Sequence, residues 1–455
     1  MTPCFFKYSL RTIFALALTL SSAFVGAVDP FVAAPFKEGV EGRLFQVQGS
    51  NTIGARLMKN LLVDYFRAKG VGGVAVQALE LENEYRVGGI VDARAVYVDV
   101  AAHGSSTGFH ALQHHQADLS MSSRPIKVTE VTNLSHLGDM SGFDAEHVIA
   151  IDGLAVIVNH NNRVQQLSLN QIAGIFSGEI RNWSELGGRD LAINLYARDD
   201  RSGTWDTFKS LVLRKKYQLA SSARRFESND HLSDSVAGDA GGIGFVGLAS
   251  VRDSRALLVF DTGTTPLHPG KISVATEDYA LSRRLFLYTP PNLKTPAIDD
   301  FVRFVQTDNA QQQVESTGFV SQALIETKPQ GLRQGPRAYL EATQGANRLS
   351  VNFRFSQGSA TLDNKARQDL QRLVAYMARP ENSQKKMTLV GFGDAKQTES
   401  RALVLSKLRA IAVKSQLRKL GVSTQPVKGF GAYLPVASNA DMGKIKNRRV
   451  EVWVR

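Results

Sequence analysis

The sequence is almost devoid of cysteine. Its one cysteine, Cys4, precedes the apolar stretch at the N-terminus and does not stand at a lipoprotein cleavage position. Once that stretch is removed as a leader, the mature chain has no thiol. Disulfides, thiolate chemistry and cysteine metal sites are then excluded. The 455 residues must therefore be stabilised by hydrophobic cores, which this length distributes over two or three domains.

Long hydrophobic runs are also missing beyond the N-terminus, where no segment is apolar enough to span a bilayer. The N-terminus itself, MTPCFFKYSLRTIFALALTLSSAFVGA, has two basic residues, an apolar stretch, and small residues that end at Ala27. This order predicts a secretory signal peptide over residues 1–27, and therefore a protein outside the cytoplasm. A membrane anchor is the alternative. The apolar run argues against it, because it is short and interrupted by two serines.

Acidic residues are scarce in the last quarter of the chain. Residues 347–455 carry 21 Lys and Arg against 7 Asp and Glu, although the formal charge of the whole chain is only +12. Strongly basic regions bind nucleic acid, membrane surfaces or other polyanions. Because export separates the protein from nucleic acid, the anionic cell envelope is the expected partner. A basic surface that serves only solubility is the alternative.

The pattern of strands and helices divides the chain into two α/β parts. In residues 40–327, runs of β-branched residues alternate with amphipathic helices, which indicates largely buried sheets. This part is long for one core and is expected to form two lobes. The stretch KPQGLRQGPRAYLEATQGANR is rich in Gly, Gln, Pro and Arg and predicts a linker over 328–346. Residues 347–455 are expected to form a small α/β sandwich.

Four polar turns in the first part combine hydroxyl groups with the starts of helices. Such turns direct backbone N–H groups and a helix dipole at an anion, and an arginine adds a planar charged fork. In a two-lobed α/β protein the strand ends face one crevice, where ligands bind. Each turn alone can also be explained as a helix cap. The candidate ligand-binding residues are Ser50, Asn51, Thr52, Ser105, Ser106, Ser123, Arg124, Arg198, Ser202, Gly203 and Thr204.

The segments GSNT, GSSTG, SSRPI, RDDRSGT, IAGIFSGEIRNWSEL and GGIGFVGLASV follow one another in a distinctive order. Over most of residues 43–325 this order resembles the PstS-like periplasmic phosphate-binding proteins of ABC transporters. The resemblance implies a type II periplasmic-binding fold, with two lobes and a hinge crossed twice. It leaves open an ABC permease as a partner. By position, it implies oxyanion donors from the first lobe at Ser50, Thr52 and Ser105 or Ser106, and from the second at Arg198, Ser202, Gly203 and Thr204.

One position departs from that family. Many phosphate receptors have an aspartate after the serine of the third loop, and it accepts the proton of hydrogen phosphate. Here that place holds Ser123, followed by Arg124. Because a carboxylate repels an unprotonated oxyanion, its loss weakens the rejection of sulfate. Phosphate is the first choice of ligand, and a related oxyanion is the alternative.

The second part contains the segments FSQGSATLD, VGFGD, LSKLRAIAV, GFG and NRRVEV. They resemble the OmpA-like peptidoglycan-binding domain over nearly all of residues 345–455. The resemblance implies that Asp394 and Arg409 hold the diaminopimelate of the wall peptide, whose ammonium and carboxylate groups suit one acid and one arginine. Phe392, Gly393 and Ala402 depart from the family pattern. The alternative is that Asp394 and Arg409 form only a structural ion pair.

Catalytic patterns are missing from the sequence. His110 and His114 are four residues apart, a spacing that could bind a metal, but no HExxH arrangement accompanies them. The segment RSGTW lacks the nucleophile-elbow pattern GxSxG. We therefore expect a non-enzymatic protein without cofactor or metal, and a Gram-negative periplasmic location at the peptidoglycan or outer membrane. It would bind phosphate between two lobes and be tethered to peptidoglycan. The alternative is a wall-anchored structural, adhesive or sensory protein that reuses a receptor fold without transport.

Overall fold

The computed structural model describes residues 31, 34–214, 216–293, 295–328, 335–355, 361–395, 398–439 and 443–455. The expected signal peptide, residues 1–27, lies outside this range, as do residues 356–360 of the segment FSQGSATLD. Within the described range, none of the helices combines the length and the apolar character that a bilayer crossing requires.

The described residues form three β-sheets with helices packed on their faces. The strands are β1 (Gly42–Gly49), β2 (Gly72–Ala78), β3 (Glu84–Val91), β4 (Arg94–Ala101), β5 (Leu119–Ser122), β6 (Glu146–Val158), β7 (Gln166–Ser168), β8 (Asn194–Arg198), β9 (Arg224–Phe226), β10 (Gly242–Gly247), β11 (Arg255–Ala256), β12 (Leu258–Phe260), β13 (Ser282–Tyr288), β14 (Glu326–Thr327), β15 (Asn347–Arg354), β16 (Met387–Gly391), β17 (Lys428–Gly429) and β18 (Arg449–Val454). The helices are α1 (Asn51–Gly54), α2 (Leu57–Ala68), α3 (Ser105–Gln113), α4 (Val128–Asn133), α5 (Leu169–Ser177), α6 (Gly203–Phe208), α7 (Asn229–Ala237), α8 (Lys271–Ala275), α9 (Pro296–Phe304), α10 (Asp308–Ser316), α11 (Arg337–Ala342), α12 (Asn364–Ala378), α13 (Glu399–Lys419) and α14 (Gly443–Asn447).

The largest sheet has 11 strands and runs through both lobes, in the order β2-β3-β4-β1-β5-β13-β6-β10-β8-β9, with β11 beside β6. Strand β6 joins the lobes, because residues 146–153 pair with β13 and residues 154–158 pair with β10. Its continuous apolar sequence fits a strand that is covered on both faces. The chain returns to the first lobe through residues 276–282, which lead into β13. The expected α/β protein with two lobes and a hinge crossed twice is confirmed.

Each lobe has its own hydrophobic core. In the first lobe, α2, α9 and α10 pack on the sheet around Leu61, Val98 and Phe301. In the second lobe, Phe208 stacks on Phe245 with ring centroids 3.9 Å apart. Because each lobe has a buried core of its own, each can move as a rigid unit about the two segments that connect the lobes.

The C-terminal domain is a five-stranded sheet in the order β14-β15-β18-β16-β17, with α12 and α13 packed on it. The expected small α/β sandwich is confirmed. One feature differs from the expected end of the first part at residue 327, and another differs from the expected linker over 328–346. Strand β14 already pairs with β15, and α11 buries Tyr339 against Phe392, Phe430 and Trp453 on the other face of the sheet. We therefore propose that the C-terminal domain begins at Glu326.

The C-terminal domain contacts the segment that crosses between the lobes. Lys446 Nζ donates to the carbonyl oxygens of Tyr279 and Ala280, at 3.0 and 2.7 Å, and lies 3.1 Å from Ser282 Oγ. Arg284 pairs with Asp363 at 2.9 Å. Other groups of this domain also contact the crossing segment: Asn352 and Arg354 donate to the Thr276 carbonyl, and Arg348 pairs with Asp278.

Candidate functional site

Four chain turns bring polar groups to the junction of the two lobes. They follow β1, β4, β5 and β8, and three of them open the helices α1, α3 and α6. Ser202 caps α6, because its Oγ accepts from the backbone N–H groups of Thr204 and Trp205 at 3.2 and 3.3 Å. Gly104 has a φ of 130° and lies against the Arg201 carbonyl of the other lobe, where a Cβ would come within 2.2 Å of the oxygen. The turns of the two lobes therefore approach so closely that their backbones are in contact.

Hydroxyl groups from both lobes meet at this junction. Thr52 Oγ1 of the first lobe lies 3.1 Å from Thr204 Oγ1 of the second. Ser105 Oγ accepts from the backbone N–H of Ser123 at 3.0 Å and lies 3.4 Å from its Oγ. All four side chains are buried or nearly so, and Ser50 beside them has an Oγ without a hydrogen-bond partner among the described residues. A buried hydroxyl without a partner is costly, so this group is poised to bind one.

Arg198 lies at the end of β8 with only 2% of its surface exposed. Its Nε donates to the Phe226 carbonyl at 3.1 Å and its Nη2 donates to the Glu227 carbonyl, while its Nη1 is buried without a partner among the described residues. Burial lowers the pKa of Arg198 to about 10; Asp199 acts in the opposite direction and Arg283 adds to the lowering. The charged guanidinium is buried, and the carboxylate of Asp199 is 3.7 Å away, so an oxyanion would add the compensation that burial leaves missing.

A second arginine reaches the same junction. Arg283 Nη1 donates to Thr204 Oγ1 at 2.8 Å, and its Nη2 lies 3.5 Å from Thr52 Oγ1. Its Nε and Nη2 also donate to Asp152 Oδ2 at 2.9 and 2.6 Å. No motif indicated this pair. The sequence does contain a signal for it: one aspartate in the apolar strand β6 and two adjacent arginines in β13. Charged side chains in such buried strands need a partner of opposite charge, so these residues were candidates for an ion pair.

Asn51, Ser106 and Arg124, also predicted to bind the ligand, have polar atoms engaged by other groups of the protein. Asn51 Nδ2 donates to the Ala102 carbonyl at 3.5 Å. Arg124 donates to Glu130 at 2.6 and 2.8 Å, and to Asp206 at 2.7 Å. Its Nη2 also donates to Ser106 Oγ at 3.1 Å. The local motif could not reveal this, because the two carboxylates lie six and 82 residues away.

In the predicted wall-binding pair, Asp394 lies just after the end of β16 and Arg409 lies in α13. Asp394 is 2% exposed and accepts two hydrogen bonds from Arg448, at 3.0 and 2.9 Å. Arg409 Nη1 is buried without a partner among the described residues. Burial and the neighbouring Arg448 lower the pKa of Arg409, and Asp394 partly offsets them. The structure therefore adds Arg448 to the predicted pair and leaves Arg409 with an unused donor.

The three departures from the wall-binding pattern have structural explanations. At Gly393 a Cβ would lie 3.0 Å from Arg409 Nη1, so the glycine gives the guanidinium room. Phe392 is fully buried, 5.7 Å from the ring of Tyr339 in α11 and 4.1 Å from the guanidinium of Arg449. Ala402 is buried in α13. Phe392 is therefore part of the packing that joins α11 to the sheet.

Comparisons with known proteins agree with this architecture. Family models match at residues 91–309, for a PBP superfamily domain, and at residues 354–449, for the OmpA family. The phosphate-binding protein PstS of Staphylococcus saprophyticus is 30% identical over 50% of this chain and 73% of its own length. PstS of Staphylococcus epidermidis is 30% identical over 48% of this chain and 68% of its own length.

A solved structure shares the fold of the two-lobed first part of the chain. It is a phosphate ABC transporter substrate-binding protein of Clostridium perfringens, described as putative in its name, with phosphate bound. It superposes with a TM-score of 0.50 at 24% identity and covers 62% of this chain and 99% of its own. This likeness supports the fold of the first part.

Proposed function

The chain belongs to the PstS family of phosphate-binding proteins, and from that premise we propose that it binds phosphate, or a related oxyanion, between its two lobes. The observation that carries the proposal is Arg198, a buried guanidinium at a junction of hydroxyl groups, whose Nη1 has no hydrogen-bond partner in the described part of the chain. A tetrahedral oxyanion accepts several hydrogen bonds at once, so it matches a guanidinium, hydroxyls and helix N-termini.

Each lobe contributes part of the proposed site. In the structure the hydroxyls of Thr52 and Thr204 bond to each other across the junction. Phosphate would replace this contact, so binding requires the lobes to part and close again around the ligand. The proposed ligand-binding residues are Ser50, Thr52, Ser105 and Ser123 of the first lobe, with Arg198, Ser202, Gly203, Thr204 and Arg283 of the second lobe and its border.

The selectivity between phosphate and sulfate depends on which carboxylates face the proposed site. Ser123 supplies a hydroxyl where many relatives have an acid, and Asp152 is occupied by Arg283 and by the backbone N–H of Leu248 at 2.9 Å. Because neither position offers a free carboxylate, nothing there demands a protonated ligand. We expect sulfate to compete with phosphate, and phosphate affinity to vary only gently between about pH 6 and pH 8.

Calorimetric titration tests the ligand and its selectivity together. The chain from Val28 onward is titrated with phosphate, with sulfate, and with phosphate in the presence of sulfate. Saturable phosphate binding that sulfate weakens is expected. Absence of phosphate binding would refute the proposal, and strict rejection of sulfate would show that another carboxylate faces the ligand.

We further propose that the C-terminal domain tethers the protein to peptidoglycan in the cell envelope. The support is the OmpA family match, together with the buried Asp394 and with Arg409, whose Nη1 has no partner among the residues that the structure describes. These two groups can bind the ammonium and the carboxylate of one amino-acid centre. The protein would then act as a binding protein and not as an enzyme.

A wall-anchored sensor is the second candidate function. The contact of Lys446 with residues 279, 280 and 282 favours it, because a diffusing transport receptor has no need for a domain that holds the crossing segment. Lobe closure moves this segment, so the C-terminal domain can respond to the ligand. Loss of phosphate uptake on deletion of the gene would favour transport, with an ABC permease as partner; unchanged uptake would favour the sensor.

A further inference from the structure

One helix of the C-terminal domain carries apolar side chains on its outer face. Val404, Leu408 and Ile411 in α13 are 58, 52 and 42% exposed. Spacings of four and three residues place them on one side of the helix, within about 60° of arc. The opposite side packs on the sheet through Ala410, Val413 and Leu417. The helix is therefore apolar on two sides, and only one of them is covered by the described part of the chain.

Basic residues border this outer face on both sides. At 3.6 residues per turn, Lys407, Lys414 and Arg418 fall along one border and Arg401 and Lys419 along the other. The one carboxylate in the sequence of α13, Glu399, lies in the first turn on the packed side and accepts from Tyr433 Oη at 2.7 Å. The face is thus an aliphatic strip between two rows of cations, with no acid inside it.

We propose that this face of α13 binds the surface of an anionic phospholipid membrane. Aliphatic side chains gain free energy by entering the headgroup boundary, and lysines and arginines beside them reach the lipid phosphates with their long stems on the apolar layer. Each cation near an anionic surface adds to the attraction. The proposal goes beyond oxyanion binding and wall tethering, and it uses neither Asp394 nor Arg198.

Charge and chemistry favour a membrane over the other occupants. A second copy of the chain would bring two basic faces together, and like charges across an interface repel. A polar glycan offers no apolar phase for three aliphatic side chains. Arg409, the residue proposed for the wall peptide, points to the Gly393 side of the helix, away from the strip. An anionic bilayer satisfies both the strip and its borders.

Vesicle flotation tests the proposal on the chain from Val28 onward. Vesicles of phosphatidylcholine alone are compared with vesicles that also contain phosphatidylglycerol. The protein is expected to float only with the anionic vesicles. The variant Leu408→Gln/Ile411→Gln keeps the net charge and should lose binding by about tenfold. Leu81→Gln, which changes a 62% exposed leucine of the first lobe, is the matched control and should bind like the parent.

Three outcomes would overturn the proposal. Equal flotation with neutral vesicles, or with the Leu408→Gln/Ile411→Gln variant, would show that the strip is not the membrane contact. Sedimentation equilibrium that finds a dimer, dispersed by the same variant, would identify a second copy as the occupant. Weaker pelleting of the variant with peptidoglycan would assign the face to the wall. Unchanged thermal unfolding and phosphate titration of the variant show that the fold and the oxyanion site are intact.

Discussion

Three buried arginines near the junction of the two lobes differ in the groups that neutralise their charge. Arg124 has the carboxylates of Glu130 and Asp206. Arg283 has Asp152 at 2.6 Å. Arg198 has backbone carbonyls and a carboxylate no closer than 3.7 Å, that of Asp199. Carboxylates thus neutralise Arg124 and Arg283, whereas Arg198 has the most to gain from an external anion.

The substitution Arg198→Ala should abolish most of the phosphate affinity. A desolvated anion would lose a charged partner, which costs about 2–5 kcal/mol in binding free energy. Arg201→Ala is the matched control, since Arg201 lies on the same loop with 59% of its side chain exposed. Calorimetry with phosphate compares the two variants with the parent. Parental affinity in Arg198→Ala would place the site elsewhere.

Sequence patterns indicate part of this chemistry and miss the rest for a physical reason. Ser202, Gly203 and Thr204 belong to one strand–turn–helix unit, so a local motif reveals them. Arg283 and Asp152 are 131 residues apart and meet only because β13 pairs with β6. Likewise, Asp394 and its partner Arg448 are separated by 54 residues. Ion pairs across strands leave no mark in either strand beyond an unexpected charge.

At the scale of the elements, the first turn of α6 lies in close contact with the opposite lobe. A Cβ at Gly203 would come within 2.2 Å of Ser105 Oγ and 2.4 Å of Ser123 Oγ. Both serines belong to the first lobe and Gly203 to the second. The glycine therefore permits the lobes to close until the helix N-terminus touches the hydroxyls.

Gly203→Ala should weaken phosphate binding without unfolding the protein. The added methyl group obstructs closure between the lobes. Gly203 is the first residue of α6, where the helix preference of alanine counts for little, so the cores of the two lobes should stay intact. A fall in phosphate affinity with a melting temperature near that of the parent is expected from calorimetry and thermal unfolding. Gly187→Ala is a control for glycine replacement outside the cleft, although its φ of 76° will lower stability there. Parental affinity in Gly203→Ala would mean that closure does not involve this contact.

Helix α11 shows where element prediction from sequence fails. Its six residues lie in a stretch rich in Gly, Gln and Pro, which indicated a linker. Six residues are too few to show a helical period, and the helix is held by Tyr339, whose Oη donates to Glu451 at 3.1 Å. The longer helices and the strands around them followed the sequence pattern, because their apolar spacing extends over several turns.

At the scale of the whole molecule, α14 connects the C-terminal domain to the segment that crosses between the lobes. Lys446 in α14 holds this segment, and Arg448 directly after the helix holds Asp394. The proposed wall site and the proposed oxyanion site therefore both adjoin elements that α14 contacts. Coupling between two sites requires an element that both can shift, and α14 has the position for this.

Docking of α14 should tighten as pH rises above neutrality. Burial lowers the pKa of Lys446 from 10.5 to about 7, and the nearby Arg354 adds to this. Between these two values the undocked lysine binds a proton that the docked one has released, so docking gains up to about 1.4 kcal/mol per pH unit. Hydrogen exchange of α14 should slow from about pH 7 to pH 9 after correction for the intrinsic rate. Lys446→Met should remove this trend, and Lys444→Met, an exposed neighbour, should retain it.

The tether can be distinguished from plain charge attraction by salt and by matched carboxylates. The chain from Val28 onward should pellet with purified peptidoglycan. Diffuse attraction to its basic C-terminal domain fades as the Debye length falls from about 10 Å at 0.1 M salt to about 3 Å at 1 M. A close pairing with Asp394 and Arg409 is screened less, so part of the binding should survive at high salt. Asp394→Asn should remove that part, whereas Glu381→Gln makes the same change of charge at an exposed site and should not.

The sign of the charge makes this comparison decisive. Both substitutions make the domain more positive, so attraction by charge alone would strengthen in both. Asp394→Asn also releases Arg448 from its carboxylate, which adds a cation beside the proposed wall site. Weaker pelleting of Asp394→Asn, against unchanged or stronger pelleting of Glu381→Gln, therefore requires a specific contact at Asp394. If both variants pellet more strongly than the parent, the ion pair of Asp394 and Arg448 is purely structural and the basic surface alone holds the wall.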